Sequence, residues 1–134
     1  MKRNKFTDIE TIQLMTQYCQ RIKNIVNKFH CDSTLFFQDD TAIDAIAMNI
    51  IQIGERINSN LTDTFKEKYP DIPWRGYVGM RNKLTHAYFE LDTRILWESA
   101  VTDIPVLYEF CKARLAEEGL EIPSAILKNA EVKV

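Results

Sequence analysis

The sequence predicts an all-α protein, an up-and-down bundle of four to five helices. Apolar residues recur at alternating steps of three and four along its three longest segments, which is the period of a helix face. No segment shows the strict alternation of a half-buried strand. The chain has 134 residues, 46% hydrophobic and 27% charged, which is the length and composition of one globular domain.

The first predicted helix runs from about Thr7 to Lys28. Thr7 and Glu10 have the spacing of a capping box, in which each side chain bonds the backbone of the other residue. The predicted core stripe consists of Ile12, Met15, Cys19, Ile22, Val26 and Phe29.

The second helix is predicted to begin near Asp39 or Asp40, whose carboxylates suit the unpaired N–H groups of a helix start. Its stripe consists of Ile43, Ile46, Ile50, Ile53 and Ile57, and it ends near residues 58–60. Small residues at Ala45, Ala47 and Gly54 would let another helix approach closely.

Two shorter helices follow. The third runs from Leu61 to Tyr69 and is closed by Pro70, and Pro73 suits the first turn of a fourth, from Trp74 to about His86. Gly76 and Gly79 lower the helix propensity of this fourth segment. We therefore expect the backbone at Gly76 and Gly79 to contact either another helix or a ligand closely.

Asp92 is predicted to cap a fifth helix that Pro105 kinks in the middle. Its stripe consists of Trp97, Val101, Ile104, Tyr108, Cys111 and Leu115. The predicted organisation is a helical bundle domain over residues 1–118 and a C-terminal tail over residues 119–134.

Composition excludes several function classes. The net charge of −2 argues against a protein that coats nucleic acid non-specifically, although it permits a small basic site. Cys19, Cys31 and Cys111 are widely spaced, so we expect reduced thiols and no CxxC pair that could bind a metal ion. His30 is interpreted as a surface residue at a helix end. No apolar run is long enough to span a bilayer and no signal peptide precedes the first helix, which predicts a cytoplasmic protein.

One segment, Trp74 to Phe89, stands apart in charge. Arg75, Arg81 and Lys83 make it locally +3 without an acidic residue, and aromatic residues and a histidine lie among them. Cations interleaved with aromatic rings suit a phosphate backbone and stacked bases. The alternative is a solvated basic face whose aromatic residues pack on the core.

Within this segment, Arg81, His86 and Tyr88 match the R-x4-H-x-Y motif of the HEPN superfamily. The chain more narrowly resembles the HepT family, the toxins of prokaryotic MntA–HepT toxin–antitoxin systems. The matching sequence continues through Asp44-Ala45, Ile53-Gly54-Glu55, Tyr69-Pro70-Asp71-Ile72-Pro73-Trp74-Arg75, Gly79-Met80-Arg81-Asn82 and Tyr88-Phe89 with Asp92. Ala87 replaces a glycine common in relatives and leaves the motif intact.

The resemblance implies a metal-independent endoribonuclease that acts as a homodimer and needs no cofactor. Its implied catalytic residues are Arg81 and His86. A histidine with an ordinary pKa of ~6.5 can take a proton from the RNA 2′-hydroxyl or give one to the leaving oxygen. The permanently charged guanidinium can stabilise the phosphate oxygens. Asn82, Lys83, Arg75 and Glu55 are expected to support the site, with Glu55 bridging Arg81 or Arg75 or forming only a surface pair.

Helix geometry leaves the arrangement of the site open. At ~100° per residue, Arg81 and His86 lie roughly 140° apart on an ideal helix. They converge only if the helix ends or distorts near His86, or if two subunits share each site. Asn82, one turn before His86, is expected either to orient the imidazole or to contact phosphate.

The resemblance also implies a regulator. An MntA-type nucleotidyltransferase antitoxin would add AMP to Tyr88, and the added group would block RNA binding sterically and through its negative charge. The antitoxin could also form a larger hetero-oligomer with the toxin. The alternative for Tyr88 is an aromatic residue packed in the core. The alternative function is a non-catalytic HEPN nucleotide-binding module or accessory subunit of a nucleotidyltransferase, and a third is a helical scaffold.

Overall fold

The computed structural model describes residues 6–30 and 32–121, and these residues contain helices and no strand. The helices are α1 (Asp8–Lys28), α2 (Ser33–Phe36), α3 (Asp40–Ser59), α4 (Asp63–Lys68), α5 (Trp74–His86), α6 (Thr93–Glu98) and α7 (Ile104–Glu117). The predicted all-α class is confirmed. Most of the predicted tail, residues 122–134, lies outside the described residues, as does Cys31.

Three of the predicted helix starts are confirmed by their caps, and the third predicted helix begins at Asp63, two residues later than predicted. Thr7 and Glu10 form the capping box of α1. Asp39 Oδ1 accepts from the Ala42 N–H at the start of α3, and Asp92 Oδ1 accepts from the Arg94 N–H at the start of α6. Each side-chain oxygen satisfies an N–H group that the helix itself leaves unpaired.

Four helices, α1, α3, α5 and α7, form most of the core. α3 packs on both α1 and α5, and α7 packs on α1. Burying an apolar side chain contributes about 1.5–3 kcal/mol, so the predicted stripes hold these helices together. The fully buried members include Ile12, Met15, Cys19, Ile22, Ile46, Ile57 and Cys111. Cys19 and Cys111 are free thiols, as expected.

Two local features depart from the prediction. The four-residue helix α2 was not expected; Asp32 caps it, and Phe36 in its last turn packs against Phe29 and Trp97. The fifth predicted helix is not a single kinked α-helix, because Ser99–Asp103 is π-helical and joins α6 to α7. Pro105 lies in the first turn of α7. Pro105 lacks the N–H that a continuous α-helix would need at that position.

No helix within the described part of the chain is both long and apolar enough to cross a membrane.

Candidate active site

Helix α5 carries most of the predicted site, and its buried face fixes its position. The Trp74 indole N–H donates to the carbonyl oxygens of Lys66 and Tyr69, at 3.2 and 3.1 Å. The Tyr77 hydroxyl donates to the carbonyl oxygen of Asp103, 2.9 Å away in the π-helical segment. Leu84 is 2% exposed. The helix begins at Trp74, as predicted, and Pro73 is its N-cap residue and not part of its first turn.

Arg81 on α5 packs against α3 at Gly54, the one glycine within α3. A Cβ atom on Gly54 would overlap Arg81 Cβ and would lie 3.0 Å from the carbonyl oxygen of Tyr77. The prediction that Gly54 permits close helix approach is therefore confirmed. No second helix of the described chain comes close to Gly76 or Gly79: a Cβ added at Gly76 would lie 3.8 Å from Pro73 Cβ, and one added at Gly79 would have nothing within 4 Å. Of the two alternatives for these glycines, the ligand stays a prediction.

The guanidinium of Arg81 is held at two points. Its Nη2 donates to Glu55 Oε1 at 2.7 Å, and its Nη1 donates to Asn82 Oδ1 at 2.8 Å. Both side chains of the Glu55–Arg81 ion pair are more than two-thirds buried. Of the alternatives for Glu55, the bridge to Arg81 is the one present. A guanidinium has five N–H groups, so three remain after these two bonds: one on each Nη, and the one on Nε, which is buried without a hydrogen-bond partner among the described residues.

The neighbours of Glu55 stabilise its ionised form. Its pKa lies below the ordinary value, chiefly because Ser59 Oγ donates a hydrogen bond to Oε2 and because the Arg81 cation lies beside it. These two effects outweigh the partial burial of the carboxylate. At neutral pH the Glu55–Arg81 pair is therefore fully ionised, and the positive charge of Arg81 is locally offset.

His86 is the last residue of α5 and is exposed. Ala87 leaves the helical conformation with φ −145° and ψ 44°, so α5 ends directly after His86, and Arg81 and His86 both lie within the helix. The imidazole makes no hydrogen bond or ion pair with residues that the structure describes. Asn82 bonds Arg81, and not the His86 imidazole as one alternative expected.

The remaining cations and Asn82 face solvent along α5. Arg75, Asn82 and Lys83 are exposed. Arg75, Gly79 and Asn82 also line an open groove of about 720 Å³ between α4 and α5. These residues recur at steps of four and three, and His86 is four residues beyond Asn82, so all four lie on one face of the helix.

Tyr88 begins a 3₁₀ turn, Tyr88–Glu90, just beyond α5. The tyrosine is 38% exposed, so the alternative of a core-packed ring is wrong, and Phe89 beside it is 93% exposed. The Tyr88 hydroxyl donates to the carboxylate of Asp44 on α3. Sequence reasoning noted Asp44 only as part of the family pattern. Its pairing with Tyr88 depends on how α3 and α5 pack.

The Tyr88 environment gives a testable titration. Partial burial, the hydrogen bond to Asp44 and the nearby Asp40 charge raise the pKa of Tyr88 to about 12. Because the unfolded value is ~10, the native interaction contributes stability below pH 10 that is lost as the pH rises towards 12. We expect Asp44→Asn to lower the pKa of Tyr88, measured as phenolate absorbance against a Tyr88→Phe reference. An unchanged titration in Asp44→Asn would show that the Asp44 charge does not act on the Tyr88 hydroxyl.

The described residues contain no group of three or more His, Cys, Asp or Glu side chains arranged to hold a metal ion. The candidate site consists of the arginine and tyrosine of the motif with their partners on α3 and α5, together with the exposed His86.

Known proteins resemble this chain over most of its length. The family model described as "Ribonuclease HepT-like" matches residues 15–114. A protein of Thermococcus cleftensis named "Probable ribonuclease HepT" is 37% identical over 98 residues, 73% of this chain and 80% of the relative. A protein of Caldanaerobacter subterraneus subsp. tengcongensis named as a "Putative RNase" is 37% identical over 83 residues, 62% of this chain and 73% of that relative. No solved structure gives a significant match. The family match spans all of α3 to α6 and the whole motif, and the chain belongs to the HepT-like ribonuclease family.

Proposed function

We propose that this protein is an endoribonuclease that cleaves RNA by attack of the RNA's own 2′-hydroxyl. The observation that carries the proposal is the arrangement at the end of α5 in a chain of this family. An exposed His86 lies just beyond an Arg81 whose guanidinium is fixed by Glu55 and Asn82.

Each side chain has a defined role in the proposed reaction. Neutral His86 takes the proton of the 2′-hydroxyl, or protonated His86 gives one to the leaving 5′-oxygen. The N–H groups that remain on the two Nη atoms of Arg81 stabilise the negative charge that develops on the phosphate oxygens. Glu55 and Asn82 hold the guanidinium in place before substrate arrives, and Arg75 and Lys83 attract the RNA backbone.

The proposed active form is a homodimer. Arg81 and His86 lie on different faces of a regular helix, roughly 140° apart. A twofold axis beside α5 would bring a second copy of each group to the same cleft and would complete the site.

The test of the proposed function is RNA cleavage by purified, unmodified protein in EDTA. We expect cleavage to persist, because no step needs a metal ion. The absence of cleavage with and without added Mg²⁺, together with retained nucleotide binding, would instead favour the non-catalytic nucleotide-binding module.

We further propose that the protein is the toxin of a toxin–antitoxin pair and that an MntA-type nucleotidyltransferase neutralises it by adding AMP to Tyr88. The exposure of Tyr88 supports this proposal, since a modifying enzyme can reach the ring. Added phosphate would bring negative charge to a cationic site and oppose RNA binding.

Co-expression with such a transferase is expected to raise the intact mass by multiples of one adenylyl group. Tyr88→Phe should abolish the gain, whereas Tyr18→Phe, which removes a hydroxyl on α1, should leave it unchanged. A mass gain that persists in Tyr88→Phe would assign the modification to another residue.

A further inference from the structure

Helix α3 contacts the first and the last residue of the motif through two carboxylates. Glu55 pairs with Arg81 at 2.7 Å, and Asp44 accepts the hydrogen bond of the Tyr88 hydroxyl. His86, between them in sequence, makes no hydrogen bond of its own side chain to any described residue. The position of the imidazole therefore depends on how the two motif ends are held.

Asp44 and Glu55 lie on the same face of α3, the face that contacts the motif residues Arg81 and Tyr88. Asp44 and Glu55 are eleven residues apart, which is close to three full helical turns and places both on one face of α3, roughly 16 Å apart along its axis. α5 packs against this helix, and Arg81 crosses it at Gly54. The face of α3 thus meets the motif at both ends.

We propose that Asp44 and Glu55 form a two-carboxylate clamp and that Asp44 is a positioning residue for His86; this rests on the proposed ribonuclease function. Among the hydrogen bonds of residues 85–91, the Tyr88–Asp44 bond is the one that reaches a distant part of the chain. The others join neighbours, such as Ala87 N–H to the Lys83 carbonyl and Leu91 N–H to the Tyr88 carbonyl. Without Asp44, the turn after His86 is held only by its own local bonds.

If Asp44 positions His86 in this way, then nucleotidylation of Tyr88 has a second consequence besides the steric block of RNA binding. When Tyr88 Oη forms its bond to the α-phosphorus of ATP, pyrophosphate leaves and the phenolic proton passes to solvent. The modified oxygen can no longer donate to Asp44. Its phosphate also lies beside the carboxylates of Asp44 and Asp40, which repel it. Nucleotidylation would therefore release the clamp at the end nearest His86.

The test measures catalysis and local opening in the same set of variants. We expect Tyr88→Phe and Asp44→Ala each to lower kcat by about tenfold with little change in KM, since small misplacements of a catalytic group are costly. The double variant should be no slower than either single variant, because both remove the same bond. Asp44→Asn retains a carbonyl acceptor and should restore most of the rate. Amide hydrogen exchange of residues 84–91 should become several-fold faster in Tyr88→Phe and in Asp44→Ala.

Asp40→Asn is the matched control, because it removes a neighbouring charge without removing the hydrogen bond. It should change neither kcat nor exchange. Additive losses in the double variant, or unchanged exchange in Asp44→Ala, would overturn the clamp. If the wild-type protein cleaves no RNA, the ribonuclease proposal fails, and the exchange rates alone then decide whether Asp44 holds the turn.

Discussion

Replacing His86 with alanine is expected to lower the rate of RNA cleavage by about two to four orders of magnitude, the usual contribution of a general acid or base. The side chain is exposed and makes no hydrogen bond or ion pair with a described residue, so the free energy of unfolding should change by less than about 0.5 kcal/mol. Initial cleavage rates in EDTA and urea unfolding of the same preparations measure the two quantities. Loss of activity with an intact fold would assign the proton transfer to His86.

The chain contains a natural control for this experiment. His30 is its other histidine, and it is also exposed and follows a helix, α1. Its φ of 51° lies in the left-handed region, which asparagine tolerates, so His30→Asn is the appropriate substitution. This variant should cleave RNA at the wild-type rate. Wild-type activity in His86→Ala would show that another group moves the proton.

The helices could be predicted from the sequence because their signals are local. The apolar period of α1 and the capping residues Thr7, Asp39 and Asp92 lie within a few residues of the backbone that they organise. The same holds for the end of α5 at His86, which the prediction placed correctly. The short helix α2 is the exception, because four residues are too few to display a period.

The partners within the site could not be predicted in the same way. Whether Glu55 meets Arg81 or Arg75, and whether Asp44 meets Tyr88, depends on how α5 is rotated against α3. A rotation of one residue, ~100°, would direct a different side chain towards α3. The glycines show the same limit: the sequence singled out Gly76 and Gly79 as well as Gly54, but only packing shows that Arg81 crosses at Gly54.

Gly54→Ala is expected to have the largest effect on the fold and the site together. The added methyl group would overlap Arg81 Cβ and would press on the carbonyl oxygen of Tyr77, a backbone atom that cannot rotate away. Overpacking of this kind costs about 1–3 kcal/mol, and the better helix propensity of alanine offsets about 1 kcal/mol of it. We expect a net loss of about 1 kcal/mol, and at most about 2 kcal/mol, in the free energy of unfolding, measured by urea titration.

The same substitution should impair cleavage in the fraction that stays folded. Because the α5 backbone fixes the position of Arg81 Cβ, relief of the overlap requires α5 to move away from α3, and this movement displaces the guanidinium from its fixed position. A displacement of about 1 Å can cost about 100-fold in rate. Gly79→Ala is the matched control in the same pair of helices, because nothing in the described chain lies within 4 Å of its added carbon. That variant should gain about 1 kcal/mol of stability. If Gly54→Ala is as stable and as active as Gly79→Ala, then the contact of Arg81 with α3 does not position the guanidinium.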